Sequence, residues 1–197
     1  MPLIASRGGG SASAFGGLRT FASAAAYESI ATYLGDNTLN TFTLSGIPQT
    51  YKHLQVRITC RTGNHPYDTD DALFLYANSD TGSNYSTTYI YGSGGSVYSG
   101  ASATQPYYSC GSFPSTNTTA NAQGVMIIDI LDYTNTNKYK TLQAYSGFDT
   151  NTANSMYFYR TGNWRSTVAI SSLKFLLVTD TTTRFDSNSS VALYGIK

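Results

Sequence analysis

Lys52-His53-Leu54-Gln55-Val56-Arg57-Ile58-Thr59-Cys60-Arg61 alternates polar and apolar residues with a period of two. Successive side chains of an extended strand point to opposite faces, so this stretch reads as a half-buried β-strand. Leu54, Val56, Ile58 and Cys60 face inward, and His53, Gln55, Arg57, Thr59 and Arg61 face out. Similar segments follow at 72–77, 86–91, 124–131, 140–146, 156–160, 167–178 and 190–196. Breaks rich in Gly, Asn, Asp and Pro separate them, such as Gly63-Asn64-His65-Pro66 and Asp80-Thr81-Gly82-Ser83-Asn84. Strand after strand with no convincing internal helix predicts an all-β fold, a β-sandwich of jelly-roll-like type. The alternating βα units of a Rossmann or TIM architecture are missing.

Composition points the same way. Of 197 residues only 12% are charged, and the formal net charge is +1. Ser, Thr and Asn make up roughly a third of the chain, and there are 17 Tyr and 18 Gly. Thr, Tyr and the β-branched residues favour strands, while Gly, Asn and Ser favour turns. A nucleic-acid binder would show a basic excess, and a disordered chain far more charge. The longest apolar runs, 125–128 and 175–178, fall well short of the ~20 residues of a membrane helix. The opening Met1-Pro2-Leu3-Ile4-Ala5-Ser6-Arg7 has no basic stretch followed by an apolar core, so it is not read as a secretory signal.

The chain divides at about residue 35. Residues 1–35 are read as an extended Gly/Ser/Ala-rich docking arm and 36–197 as the sandwich domain. The stretch 7–17 is small and flexible and should not fold by itself. Its spaced anchors, Leu3, Ile4, Arg7, Phe15, Leu18 and Phe21, suit a segment that becomes ordered on a partner. Residues 22–34 can form a short helix or join the sheet. The stretch 92–121 lacks apolar alternation and is read as a long decorated loop. It holds no Asp, Glu, Lys or Arg, so binding through it should be insensitive to salt. Tyr98, Tyr107 and Tyr108 within it are assigned to a surface contact with a glycan or a neighbouring subunit. Trp164 is placed at a turn.

A search for chemistry finds no catalytic constellation. G-x-S-x-G, P-loop and G-x-G-x-x-G motifs are all lacking, so no enzyme, cofactor or catalytic residue is assigned. His65 lies with Tyr67, Asp68, Asp70 and Asp71, a His-plus-carboxylate group of the kind that holds a cation or acts as an acid/base pair, but without the glycine and glutamate of an EF-hand loop; it is read as a polar turn and no metal is assigned. Asp129 alternates with Ile128 and Ile130 and should face out, and His53 is read as a surface residue. Cys60 and Cys110 lack metal-ligand spacing and are read as free, buried thiols.

Several segments resemble a group of small structural proteins of tailed bacteriophages. They are Leu44 to Leu54 (LSGIPQTYKHL), Asp80 to Ser86 (DTGSNYS), Ile128 to Lys140 (IDILDYTNTNKYK) and the ending Ala192 to Lys197 (ALYGIK). The glycine-rich start from Ile4 to Gly10 looks like the leader of phage tail and fibre proteins. The resemblance covers residues 41–197 and implies a virion component assembled in the host bacterial cytoplasm. Expected partners are other virion proteins of tail or capsid, a second copy of the chain in a homo-oligomer with trimer as the leading state, and a host surface glycan. Neither nucleic acid nor a membrane span is expected. The reading places the protein at the tail, as a fibre or tip component, with a capsid decoration protein as one alternative and a carbohydrate-binding module as another. A glycan-cleaving enzyme would require a carboxylate such as Asp68 or Asp70.

Overall fold

The computed structural model describes residues 26–64, 68–177 and 182–197. Fourteen strands and no helix are found among them. They are β1 (Tyr27–Leu34), β2 (Thr41–Ser45), β3 (His53–Cys60), β4 (Thr62–Gly63), β5 (Asp70–Ala77), β6 (Tyr85–Ser93) and β7 (Ser96–Gln105), followed by β8 (Tyr108–Pro114), β9 (Gly124–Leu131), β10 (Lys140–Phe148), β11 (Met156–Trp164), β12 (Ser172–Leu177), β13 (Arg184–Phe185) and β14 (Ser190–Ile196). The fold is an all-β sandwich. An eight-stranded sheet runs β1-β14-β3-β9-β10-β11-β6-β7, a four-stranded sheet runs β2-β12-β5-β8, and β13 pairs with β4. All pairings are antiparallel. The chain passes repeatedly between the two sheets, as in a jelly roll.

Alternation in the sequence becomes the core. Leu54, Val56 and Ile58 of β3 line up with Ile130, Ile128 and Met126 of β9, and β9 in turn pairs with Leu142 and Ala144 of β10. The facing layer supplies Phe42, Leu44, Leu73, Leu75, Phe113, Leu173 and Phe175, all buried. Each fully buried side chain of this size contributes about 1.5–3 kcal/mol. Gln55, Arg57 and Asp129 stand on the opposite face of the large sheet, where the Gln55 amide donates to Asp129 Oδ1 at 2.8 Å. His53 is half buried, and its Nδ1 accepts the Asp132 N–H at 2.9 Å.

Three expectations change. Of the two alternatives for 22–34 the sheet is the one found: Tyr27–Leu34 is the edge strand β1, not the end of a docking arm, and pairs along its length with β14. Its Ile30, Ala31 and Tyr33 pack on the core, with Tyr33 stacked on Phe42 at 4.1 Å, and that burial draws it into the sheet. The stretch 92–121 is not a loop but contains the end of β6 and all of β7 and β8. Trp164 ends β11 rather than sitting at a turn; it is buried, and its Nε1 donates to Asp80 Oδ2 at 2.7 Å. Among the described residues no helix is long and apolar enough to cross a membrane.

Candidate functional site

The large sheet extends beyond the small one. Strand β8, the edge of the small sheet, lies across β10, β11 and β6. Beyond that edge the inner faces of β11, β6 and β7 have no strand to cover them, and a cleft of about 430 Å³ opens there. Its volume is ordinary for a small-ligand site.

Register fixes which side chains share the cleft floor. Arg160 pairs with Tyr89 and Phe158 with Tyr91, while Thr87 stands opposite Ser102 and Tyr91 opposite Tyr98. Period-two alternation therefore places Phe158, Arg160, Thr87, Tyr89 and Tyr91 on one face. Asp70, Phe74, Ser109 and Ser112 of β5 and β8 form the opposite wall, and Gln105 and Tyr107 close the corner between β7 and β8. A register shift between Tyr85 and Thr87 and a positive φ of 55° at Thr104 bend β7 at this corner. Such bulges redirect side chains at sheet edges.

The walls are aromatic. Tyr91 stacks on Phe158 at 5.4 Å and on Tyr98 at 4.8 Å, and Tyr107 stacks on Phe74 at 4.0 Å. The Tyr89 ring lies so close to β7 that a Cβ on Gly100 would fall 2.6 Å from its hydroxyl, so a side chain there would displace the ring. The Arg160 guanidinium sits 5.0 Å above Tyr89 and 5.5 Å from Phe158. Such contacts hold a cation to ring faces.

Two polar atoms in this lining are buried without a hydrogen-bond partner, Arg160 Nε and Thr87 Oγ1. No carboxylate forms an ion pair with Arg160 among the described residues. Burial lowers the Arg160 pKa, yet a guanidinium stays charged at neutral pH. Asp70 is pushed the other way: burial raises its pKa, against a hydrogen bond from Ser112, with Asp68 adding repulsion.

The three tyrosines assigned to a surface contact separate. Tyr98 is exposed on β7 and Tyr107 is half buried at the cleft corner. Tyr108 is fully buried, its hydroxyl donating to the Arg160 carbonyl at 3.1 Å, and it cannot make a surface contact. A Cβ on Gly162 would meet the Tyr108 ring at 2.9 Å, so that glycine makes room for it. Arm residues Leu3, Ile4, Arg7, Phe15, Leu18 and Phe21, with His65 and Tyr67 of the oxygen-rich group, lie outside the described residues. Of that group's carboxylates, Asp70 and Asp71 point to opposite faces of β5, and no cluster that could hold a metal is found among the described residues. Both cysteines are free and buried, and burial raises both thiol pKa values. Arg160, Phe74 and Phe158 were not singled out from the sequence; the signal for Arg160 was an arginine on the inward register of an otherwise apolar and aromatic strand.

The chain matches no family model and no curated protein. Among solved structures it is similar to the PL-14 alginate lyase of Aplysia kurodai, with 12% identity and a TM-score of 0.33 over 77% of this chain and 71% of that one. It is also similar to the xylan β-1,4-xylosidase of Bacillus halodurans C-125, with 10% identity and a TM-score of 0.33 over 80% of this chain. The match spans 32% of the xylosidase.

Proposed function

We propose that the chain is a structural protein of a bacteriophage particle, carried at the tail, which docks through its N-terminal segment and presents the cleft to a saccharide of the host surface. The supporting observation is the cleft itself, with ring faces from Tyr89, Tyr91, Tyr107 and Phe158 beside unpartnered polar atoms of Arg160 and Thr87. Flat aromatic faces suit the apolar faces of sugar rings, and convergent polar groups suit hydroxyls. The role proposed is binding.

The test is direct. The purified chain is expected to bind polysaccharide from the host envelope, and Tyr89→Ala with Tyr91→Ala to weaken that binding at least tenfold while the protein stays folded. A folded protein that binds no host polysaccharide sinks the reading. Placement is read from copy number: tens or fewer per particle fit the tail, hundreds a capsid decoration protein. The decoration alternative has one observation in its favour, the apolar outer face of the large sheet, which suits packing on a neighbouring subunit.

A further inference from the structure

The Arg160 guanidinium is the cleft's unusual feature. A buried cation is normally paired with a carboxylate or held by several acceptors, because an uncompensated charge out of water is costly. Here Tyr89 and Phe158 occupy positions over the guanidinium, and rings cannot accept its in-plane N–H groups as a carboxylate does. Nε is buried with no acceptor. What remains is the N–H edge, in a cleft whose other lining groups are hydroxyls, an amide, rings, the Met156 side chain and the Asp70 carboxyl. Asp70, the one carboxyl in the lining, forms no ion pair with it among the described residues. The cleft therefore carries one cation that its own lining carboxyl does not pair.

Resting on the saccharide reading above, we propose that the cleft selects acidic sugars, its ligand being a uronic-acid residue whose carboxylate pairs with the edge of Arg160 while the sugar ring lies against the aromatic lining at Tyr89. A planar carboxylate matches a guanidinium edge through two parallel hydrogen bonds, which a hydroxyl cannot do. Thr87 Oγ1, buried beside it on β6, supplies a further hydroxyl for the same ligand. Asp70 and Ser112 on the facing wall contact sugar hydroxyls. This also changes the expectation of salt-insensitive binding. The segment 92–121 is uncharged, but the cleft it helps to form borrows Arg160 from β11.

The experiment is calorimetric titration of the full chain with oligogalacturonate and oligomannuronate, alongside neutral galacto- and manno-oligosaccharides of equal length. The acidic sugars are expected to bind at least tenfold more tightly, and their affinity to fall several-fold between 50 and 500 mM NaCl. Arg160→Gln should abolish the difference between acidic and neutral sugars; Arg160→Lys, which keeps the charge but not the fork, should recover only part of it. Tyr89→Ala should weaken acidic and neutral sugars alike. If acidic and neutral sugars bind equally well to the native chain, the acid preference is overturned and the saccharide reading stands. If a sulfated galactan binds as tightly as the uronates, the carboxylate assignment is overturned. If none of these sugars and no host polysaccharide binds, both readings fall. Should Arg160→Gln not fold, the comparison of acidic with neutral sugars on the native chain and on Arg160→Lys still decides the matter.

Discussion

Tyr107 and Tyr108 are adjacent, identical in chemistry and opposite in role. Tyr107 lies at the cleft corner on Phe74, while Tyr108 is enclosed between β8 and β11. Tyr108→Ala should cost about 3–5 kcal/mol in denaturant unfolding, as loss of a large buried ring does. Tyr107→Ala should cost far less and act on ligand affinity instead. Nothing in the local sequence separates the pair, because the core-facing side of β8 includes Cys110 and Gly111, small residues that mask its alternation. Gly111 is glycine for a backbone reason, a φ of 135° that side chains rarely adopt, and a Cβ there would also fall 2.1 Å from Ser146 Oγ. The cysteines were legible in part. Cys60 continues the inward row of Leu54, Val56 and Ile58, whereas Cys110 had no such row. Both should resist a thiol reagent in the native state, and Cys60→Ser should cost about 1–3 kcal/mol by burying a hydroxyl. Burial also raises the pKa of Tyr85 and Tyr108 above the ordinary value near 10. A raised folded pKa means that the unfolded chain releases the proton first. Stability is then complete below pH ~10 and lost progressively above it. Titration of tyrosinate absorbance should show these rings ionising only as the fold is lost; ionisation in step with exposed tyrosines would contradict their burial.

At the scale of elements, the strands with strict alternation were readable to their ends. The expected 124–131 and 190–196 are β9 and β14 without adjustment. β7 was not readable, because as an edge strand it buries neither face and its composition carries no periodic signal. β1 was hidden differently: Ala and Ser dominate the residues before it, and its register is set by β14, far away in sequence. This moves the useful truncation point. Deleting residues 1–25 should leave thermal stability unchanged and, if the N-terminal segment docks the protein, abolish incorporation into the particle. Deleting 1–35 should destabilise the sandwich by about 3 kcal/mol or more, since it removes Tyr33 from its stack with Phe42 and Phe185. Equal melting temperatures for the two truncations would show that β1 contributes little. Normal incorporation of the shorter deletion would remove the docking role.

On the whole molecule, the two faces of the large sheet do different work. Its inner face builds the core and, where the small sheet stops, the cleft. Its outer face presents two rows of side chains in register across five strands: Val125, Gly147, Tyr157, Gly92 and Val97, then Ile127, Tyr145, Tyr159, Ile90 and Ser99. Val125, Ile127, Tyr145, Tyr157, Ile90 and Val97 are all exposed, and neither row contains a charge. Contiguous exposed apolar surface of this kind marks an interaction site more often than chance. A second copy of the chain is the occupant that neutrality suits, because a symmetric contact sets each residue near its own kind and a charge would meet its like. The homo-oligomer expected from the phage resemblance would then use this face and leave the cleft open to ligand. The measurement is sedimentation of the native chain and of Ile127→Glu with Tyr157→Glu. The native chain should sediment as an oligomer at micromolar concentration and the double variant as a monomer, with saccharide affinity within about twofold of native. The charges act by opposing one another across the contact and by leaving carboxylates unpaired in a buried interface. A native monomer at these concentrations, or an oligomer indifferent to both charges, would show that this face is not where copies meet.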